Sequence, residues 1–309
     1  MKKFTFILVF VSMFLFSTEV THAETILNMN THPGVMVNMK TSVPYKSVRP
    51  TTKNAPTDFN QGFKDGCHAG KYTGYPKKVC AYGKKKRYKY TVAIIGDSHS
   101  AQWLGAVQTF AEKYNIRILY ATKSGCSLSS TPRPDYLTCD SWNKLIIPKI
   151  AKYKPDVVLT KANNTQSGNT YDPGMLDKFR ELNDNNIKVF AIRDTPYFNY
   201  NVPDCIRKLG RNAVKCKVNK SLIPPNSDWV PILRAEPYIK YVDYTNLICN
   251  TEKYCNPTQG NVILTIDRHH LTNSYASTFS SIIYKDIYKF LIAANKERLQ
   301  KESLNNVIS

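Results

Sequence analysis

Two short stretches carry residue types that could do chemistry together. Gly96-Asp-Ser-His99 ends an apolar run and opens a helix-like stretch, and far along the chain Ile266-Asp-Arg-His-His-Leu271 also follows a strand-like run and precedes a helix. A serine hydroxyl becomes a nucleophile when a base takes its proton, and an imidazole base needs an acid to orient it. Asp267 and His270 are three residues apart, close enough for the carboxylate to hold one ring nitrogen while the other faces Ser98. A serine that begins a helix also offers its own N–H, and the positive end of the helix, to a developing oxyanion. Alone, Asp97 or Ser98 before a helix would read as its cap; the second motif favours Ser98 as nucleophile. His269 is the alternative to His270. A metal held by the histidine pair is not expected, because no third ligand has suitable spacing. Asp97 and His99 should make structural contacts around the turn, and Trp103 and Trp142 should lie in the core.

The elements that must position these residues alternate. Strand-like runs at Tyr90–Ile95, Ile116–Ala121, Pro155–Leu159 and Ile187–Ile192 are separated by helical patterns at Ala101–Tyr114, Trp142–Tyr153 and Met175–Asn185. Further strands are expected at Tyr238–Tyr244 and Val262–Ile266, and a closing helix at Thr272–Asn295. Strands linked by helical crossovers predict an α/β fold with a mainly parallel sheet covered on both faces. Ligands of such sheets bind outside the carboxyl ends of the strands, where both motifs should arrive. Between Thr195 and Pro237 the periodicity fails, which predicts a long structured loop.

The chain has 309 residues, a formal net charge of +20 and eight cysteines. Residues 1–23 have the layout of a signal peptide: two lysines, an apolar run from Phe4 to Phe16, then Thr21-His-Ala23. That run is short of the roughly 20 residues a membrane span needs, although an uncleaved anchor is the alternative. Residues 24–60 read as an irregular arm or tether, 61–295 as the catalytic domain and 296–309 as a tail. An even cysteine count fits export and four disulfides, and nearest-neighbour pairing (Cys67–Cys80, Cys126–Cys139, Cys205–Cys216, Cys249–Cys255) would staple one loop each. An exported chain this basic should meet anionic envelope polymers or head groups rather than nucleic acid. Its densest basic run, Lys84–Arg87, precedes the strand leading to Gly96 and so lies at the end away from Ser98. It serves surface attachment or is simply a solvated loop.

Gly96-Asp-Ser-His99 and Asp267-x-x-His270-Leu271, in this order, resemble the SGNH (GDSL-like) hydrolase superfamily. They are most similar to the exported SGNH domains fused to, or partnered with, membrane acyltransferases that O-acetylate surface polysaccharides and peptidoglycan. The likeness runs from Cys67 to about Ile292 and includes Gly125-Cys126, Lys154-Pro-Asp-Val-Val158, the Cys205/Cys216 loop and the Cys249/Cys255 pair. The resemblance implies a three-layer αβα, flavodoxin-like fold with Ser98 as nucleophile, His270 as base and Asp267 as orienting acid. It also implies an oxyanion hole made by the Ser98 and Gly125 N–H groups and a side-chain amide. The superfamily's third block is Gly-x-Asn-Asp; here it is Ala162-Asn-Asn-Thr165, so Asn164 aligns with the amide donor, Asn163 is the alternative, and the glycine and acid are missing. By resemblance the activity is O-acetyl transfer to a cell-envelope glycan through an acyl-Ser98, with a separate membrane protein delivering the acetyl group. An acetylesterase or an inactive glycan-binding module is the alternative. No nucleotide-binding loop appears and no cofactor is expected. The location should be extracellular, cell-wall-associated or periplasmic.

Overall fold

In the computed structural model, residues 27–308 are described, apart from 41, 165–170, 224 and 226–228. The expected signal peptide, 1–23, lies outside the described residues. The strands are β1 (His68–Ala69), β2 (Cys80–Gly83), β3 (Tyr90–Gly96), β4 (Ile116–Lys123), β5 (Val157–Lys161), β6 (Lys188–Ile192), β7 (Val218–Asn219), β8 (Ile239–Val242), β9 (Tyr254–Cys255), β10 (Thr258–Gln259) and β11 (Val262–Ile263). Every residue of β3 and of β5 is buried, the mark of strands covered on both faces. They form the middle of a seven-stranded sheet of order β1-β4-β3-β5-β6-β8. All these neighbours are parallel, and only β2, which shares the β4 edge with β1, is antiparallel.

The helices are α1 (Gln61–Lys64), α2 (Ser98–Ala101), α3 (Leu104–Ala111), α4 (Leu137–Ala151), α5 (Pro173–Asp184), α6 (Val202–Leu209), α7 (Trp229–Ala235), α8 (Thr245–Ile248), α9 (Asn273–Ser277) and α10 (Ser280–Ile308). Strand side chains alternate between faces, and the core divides accordingly. Val92, Ile94 and Leu159 join Trp103 and Leu104, Val107 of α3, and Phe279 and Ile283. Ala93, Ile95 and Val158 join Trp142 and Ile146 of α4, Phe179 of α5 and Leu233 of α7 on the other side. This is the expected αβα sandwich, with both tryptophans in its core. The four cysteine pairs are the nearest-neighbour ones. Cys67–Cys80 joins the two segments that share the edge of β4.

Four features differ from the sequence reading. Val262–Ile266 is not a sheet strand: only Val262–Ile263 is extended, and it pairs with β10, off the main sheet. Val262 also forms a parallel bridge with Arg49 of the N-terminal arm. The stretch 195–237 is no loop throughout but holds α6 and α7, eight and seven residues long. Residues 27–60 are irregular yet packed down, with Val35 and Ala55 buried and the Val35 N–H bonded to Thr278 Oγ1 at 3.1 Å. Finally, there is no separate tail, because α10 runs through 296–308. Its polar residues pair along the helix (Lys301–Glu297, 3.1 Å; Arg298–Glu302, 3.2 Å). Arg298 Nε also donates to Asp156 Oδ1 at 2.9 Å.

Asp156 is 1% exposed and also accepts from the Thr91 N–H (2.7 Å) and Asn295 Nδ2 (2.9 Å), so it ties the start of β3 to α10. Removing its charged partner leaves a buried carboxylate unpaired. Arg298→Ala should therefore lower the unfolding free energy by about 1–3 kcal/mol, and ending the chain after residue 295 should cost at least as much. Urea denaturation measures both, and losses below about 0.5 kcal/mol would contradict this role for the helix end.

Candidate active site

The local sequence explains why Ser98 stands at the carboxyl edge of the sheet. Gly96 closes β3 with φ +118°, and a Cβ there would lie 2.6 Å from Ser100 Oγ and 2.9 Å from Thr160 Oγ1. Only glycine lets the chain turn this tightly. Asp97 then caps α2, its Oδ1 accepting from the N–H groups of His99 (3.0 Å) and Ser100 (3.3 Å). The cap is thus Asp97 and not Ser98. The Ser98 hydroxyl bonds His270 Nε2 at 2.8 Å, across 172 residues of chain.

His270 comes from a tight loop closed by the Ile266 N–H to the His270 carbonyl at 2.8 Å and an antiparallel bridge between Thr265 and Leu271. Within it Asp267 Oδ1 accepts from the N–H groups of His269 (2.8 Å) and His270 (2.9 Å), while Oδ2 meets His270 Nδ1 at 2.7 Å. Burial pushes the Asp267 carboxyl up, but the hydrogen bond from His270 and these two N–H groups outweigh it and hold it well below the usual range. A carboxylate can only accept, so His270 Nδ1 carries the hydrogen and Nε2 accepts from the Ser98 hydroxyl. Leu271 N–H donates to Gln102 Oε1 at 2.9 Å, which fastens this loop to the residue just after α2.

Ser98 and His270 open onto a cavity of about 820 Å³ that also meets Gly125, Asn164, Tyr197 and His269. The N–H groups of Ser98 and Gly125 take no partner among the described residues. Asn164 Oδ1 accepts from Ser127 Oγ at 3.2 Å, which turns its NH2 group away from that contact. Asn163 Oδ1 accepts from the Asp194 N–H at 2.9 Å and is fully buried, so it holds the loop after β6. Thr165, the last residue of that block, lies outside the described residues.

Beneath Ser98 lies a buried charged layer. Lys161 Nζ meets Asp97 Oδ2 at 2.5 Å, and His99 Nδ1 meets Asp194 Oδ1 at 2.5 Å. Burial alone would drive Asp97, Lys161 and His99 toward neutrality; the pairing outweighs it, lowering Asp97 and raising Lys161 and His99. The other His99 nitrogen, Nε2, faces His269 Nδ1 at 2.8 Å. His99, His269 and His270 are the group of ring nitrogens near enough to share an ion among the described residues. In this arrangement the nitrogens facing one another are hydrogen-bonded, and His270 Nε2 is bonded to Ser98.

The sequence matches the family model of the SGNH domain (fused to AT3 domains) over residues 66–285. The chain belongs to the SGNH domain family. No curated protein matches it. Among solved structures, the periplasmic domain of lipopolysaccharide acetyltransferase from Salmonella ser. Paratyphi A is similar, with a TM-score of 0.48, 17% identity, and coverage of 68% of this chain and 86% of that chain. Among the described residues no helix is long and apolar enough to cross a membrane.

The structure brings together Ser98, Asp267 and His270 and sets Gly125 and Asn164 in the same cavity of this SGNH domain. It adds Asp194, Lys161, Tyr197 and Gln102, which the motifs did not single out. Asp194 follows β6 and Lys161 ends β5, so the rule that sites form at the carboxyl ends of parallel strands could have found both. Burial pushes the His68 imidazole, which also lines the cavity, down to about 4. Burial, with His270 and His99 beside it, pushes His269 down to about 3. An imidazole whose folded pKa lies below the ordinary value of about 6.5 stabilises the fold fully above that pH and loses the contribution as pH falls toward the folded value. Unfolding free energy should therefore decline from pH 6.5 toward pH 4, less steeply in His68→Gln. Denaturant titrations at pH 7, 6, 5 and 4 measure it, and a flat wild-type profile down to pH 5 would contradict it.

Proposed function

We propose that this SGNH domain is an extracytoplasmic serine-dependent O-acetyltransferase that moves an acetyl group to a hydroxyl of a cell-envelope glycan. The observation that carries this reading is the Ser98–His270–Asp267 hydrogen-bonded chain opening onto the cavity. Ser98 Oγ attacks the carbonyl carbon of a donor ester while its proton passes to His270 Nε2. The oxyanion is met by the Ser98 and Gly125 N–H groups and the Asn164 amide. Collapse expels the donor alcohol, which takes its proton from His270 and leaves acetyl-Ser98. An acceptor hydroxyl then gives its proton to His270, attacks the acetyl carbon and frees Ser98. If water enters instead, the product is acetate and the enzyme is an esterase.

Two further features support the setting. The family model describes SGNH domains fused to AT3 domains, which supports a membrane acyltransferase partner as acetyl source. The exposed Lys85, Lys86 and Arg87 lie just before β3, away from the strand end that leads to Ser98, where an anionic envelope surface could hold the domain without covering the cavity.

The test follows acetylation of chito-oligosaccharide from an aryl acetate by mass spectrometry. Ser98→Ala and His270→Ala should each lower acetyl turnover on the order of 10⁴-fold or more, and Asn164→Ala about 100- to 1,000-fold. Acetate release without acetylated sugar would favour the esterase. Turnover unaffected by Ser98→Ala would reject the triad.

A further inference from the structure

Beside Ser98–His270–Asp267 lies a second carboxylate–imidazole chain, Asp194–His99–His269, whose outer end faces the same cavity. Its inner members are almost wholly buried, with Asp194 and His99 side chains 2% and 6% exposed. His269 packs between two partners: its ring stacks on Tyr197 at 4.2 Å between centroids and sits 4.0 Å from the His270 ring. Its Nε2 has no hydrogen-bond partner among the described residues.

The direction of the hydrogens follows from charge balance. The buried layer holds two carboxylates, Asp97 and Asp194, and one ammonium, Lys161. A carboxylate oxygen 2.5 Å from a buried imidazole nitrogen favours the charged ring, and an imidazolium at His99 balances these three charges. Both His99 nitrogens then donate, Nδ1–H to Asp194 and Nε2–H to His269 Nδ1. With Nδ1 accepting, a neutral His269 must carry its hydrogen on Nε2. The buried chain thus fixes a neutral N–H donor at the cavity wall, against the imidazole that the alcohol of any ester must approach.

We propose that His269 is the acceptor-binding residue of this site: its Nε2–H donates to an oxygen of a polyhydroxylated acceptor, beside the hydroxyl that His270 deprotonates. Asp194 and His99 position that donor, and the Tyr197 face limits where the sugar ring can lie. The inference rests on the acyl-Ser98 reading above and deepens it, since a fixed donor on the alcohol side favours a sugar hydroxyl over water. A purely structural His269 would need only its Nδ1 bond and its ring stack.

The experiment has two parts. Nitrogen-15 NMR of histidine-labelled wild-type protein should show His269 neutral and protonated at Nε2; a hydrogen on Nδ1 would overturn the proposal. Second, the ratio of acetylated chito-oligosaccharide to free acetate, formed from an aryl acetate, is compared across variants. His269→Phe keeps the stack and removes the donor, and should lower this ratio about tenfold, the scale of one hydrogen bond. His269→Gln restores an N–H donor and should recover most of it. A wild-type ratio left unchanged by His269→Phe would overturn the proposal alone. Absence of any Ser98-dependent acetylation would overturn the acyl-Ser98 reading and this proposal with it.

Discussion

Two carboxylates, a lysine and a histidine, removed from water next to Ser98, are the constraint on which the rest of this structure turns. Asp97, Lys161, Asp194 and His99 have side chains no more than 7% exposed. Desolvating each ion costs several kcal/mol, and only close pairing makes the layer tolerable. Asp97 follows β3, Lys161 ends β5, Asp194 follows β6 and His99 lies in α2, so satisfying the charges locks three strand ends and one helix together. The register of the parallel sheet thereby becomes the geometry of the site. The Asp97 carboxylate serves twice, pairing with Lys161 through one oxygen and capping α2 through the other, and the cap sets where Ser98 stands.

The outer structure is arranged around that layer. The Asp267–His270 loop does not continue a strand of the main sheet but follows a small β10–β11 hairpin bridged to the N-terminal arm at Arg49. Its approach is fixed by Gln102, which bonds the Leu271 N–H, and by the start of α9, where the Asn273 N–H bonds the Asp58 carbonyl at 2.9 Å. Residues 55–60 of the arm lie along one wall of the cavity, with Pro56, Phe59 and Asn60 lining it. The segment that looked like a tether is thus a wall of the site. On the opposite side of the sheet, α4 and α5 build the second half of the core and leave the carboxyl edge open.

Much of this was legible in the sequence, for physical reasons that vary by element. β3 and β5 were readable because strands buried on both faces are continuous apolar runs. The place of Ser98 was readable because its motif ends an apolar run and begins a helix; the same reasoning for Asp267 and His270 rested on a sheet strand that is not there. The cysteine pairs were readable because each closes a loop of at most 13 residues. What stayed hidden depends on long-range pairing. The end of α10 looks like a polar tail until Asp156, more than 140 residues away, claims Arg298. His99 and His269 lie 170 residues apart, and neither type nor spacing announces that they share a hydrogen bond. α6 and α7 were missed because each is only about two turns long and carries a proline (Pro203, Pro231) near its start.

On the proposed function, the fold makes Ser98 an activated nucleophile rather than a helix-terminal hydroxyl. This is tested most directly by incubating the folded protein with a fluorophosphonate and locating the adduct by peptide mass spectrometry. The expected result is a single phosphonylated serine, Ser98, formed in the wild type, slowed strongly in His270→Ala and absent after denaturation. No adduct on the folded wild type, or labelling that His270→Ala leaves untouched, would contradict it.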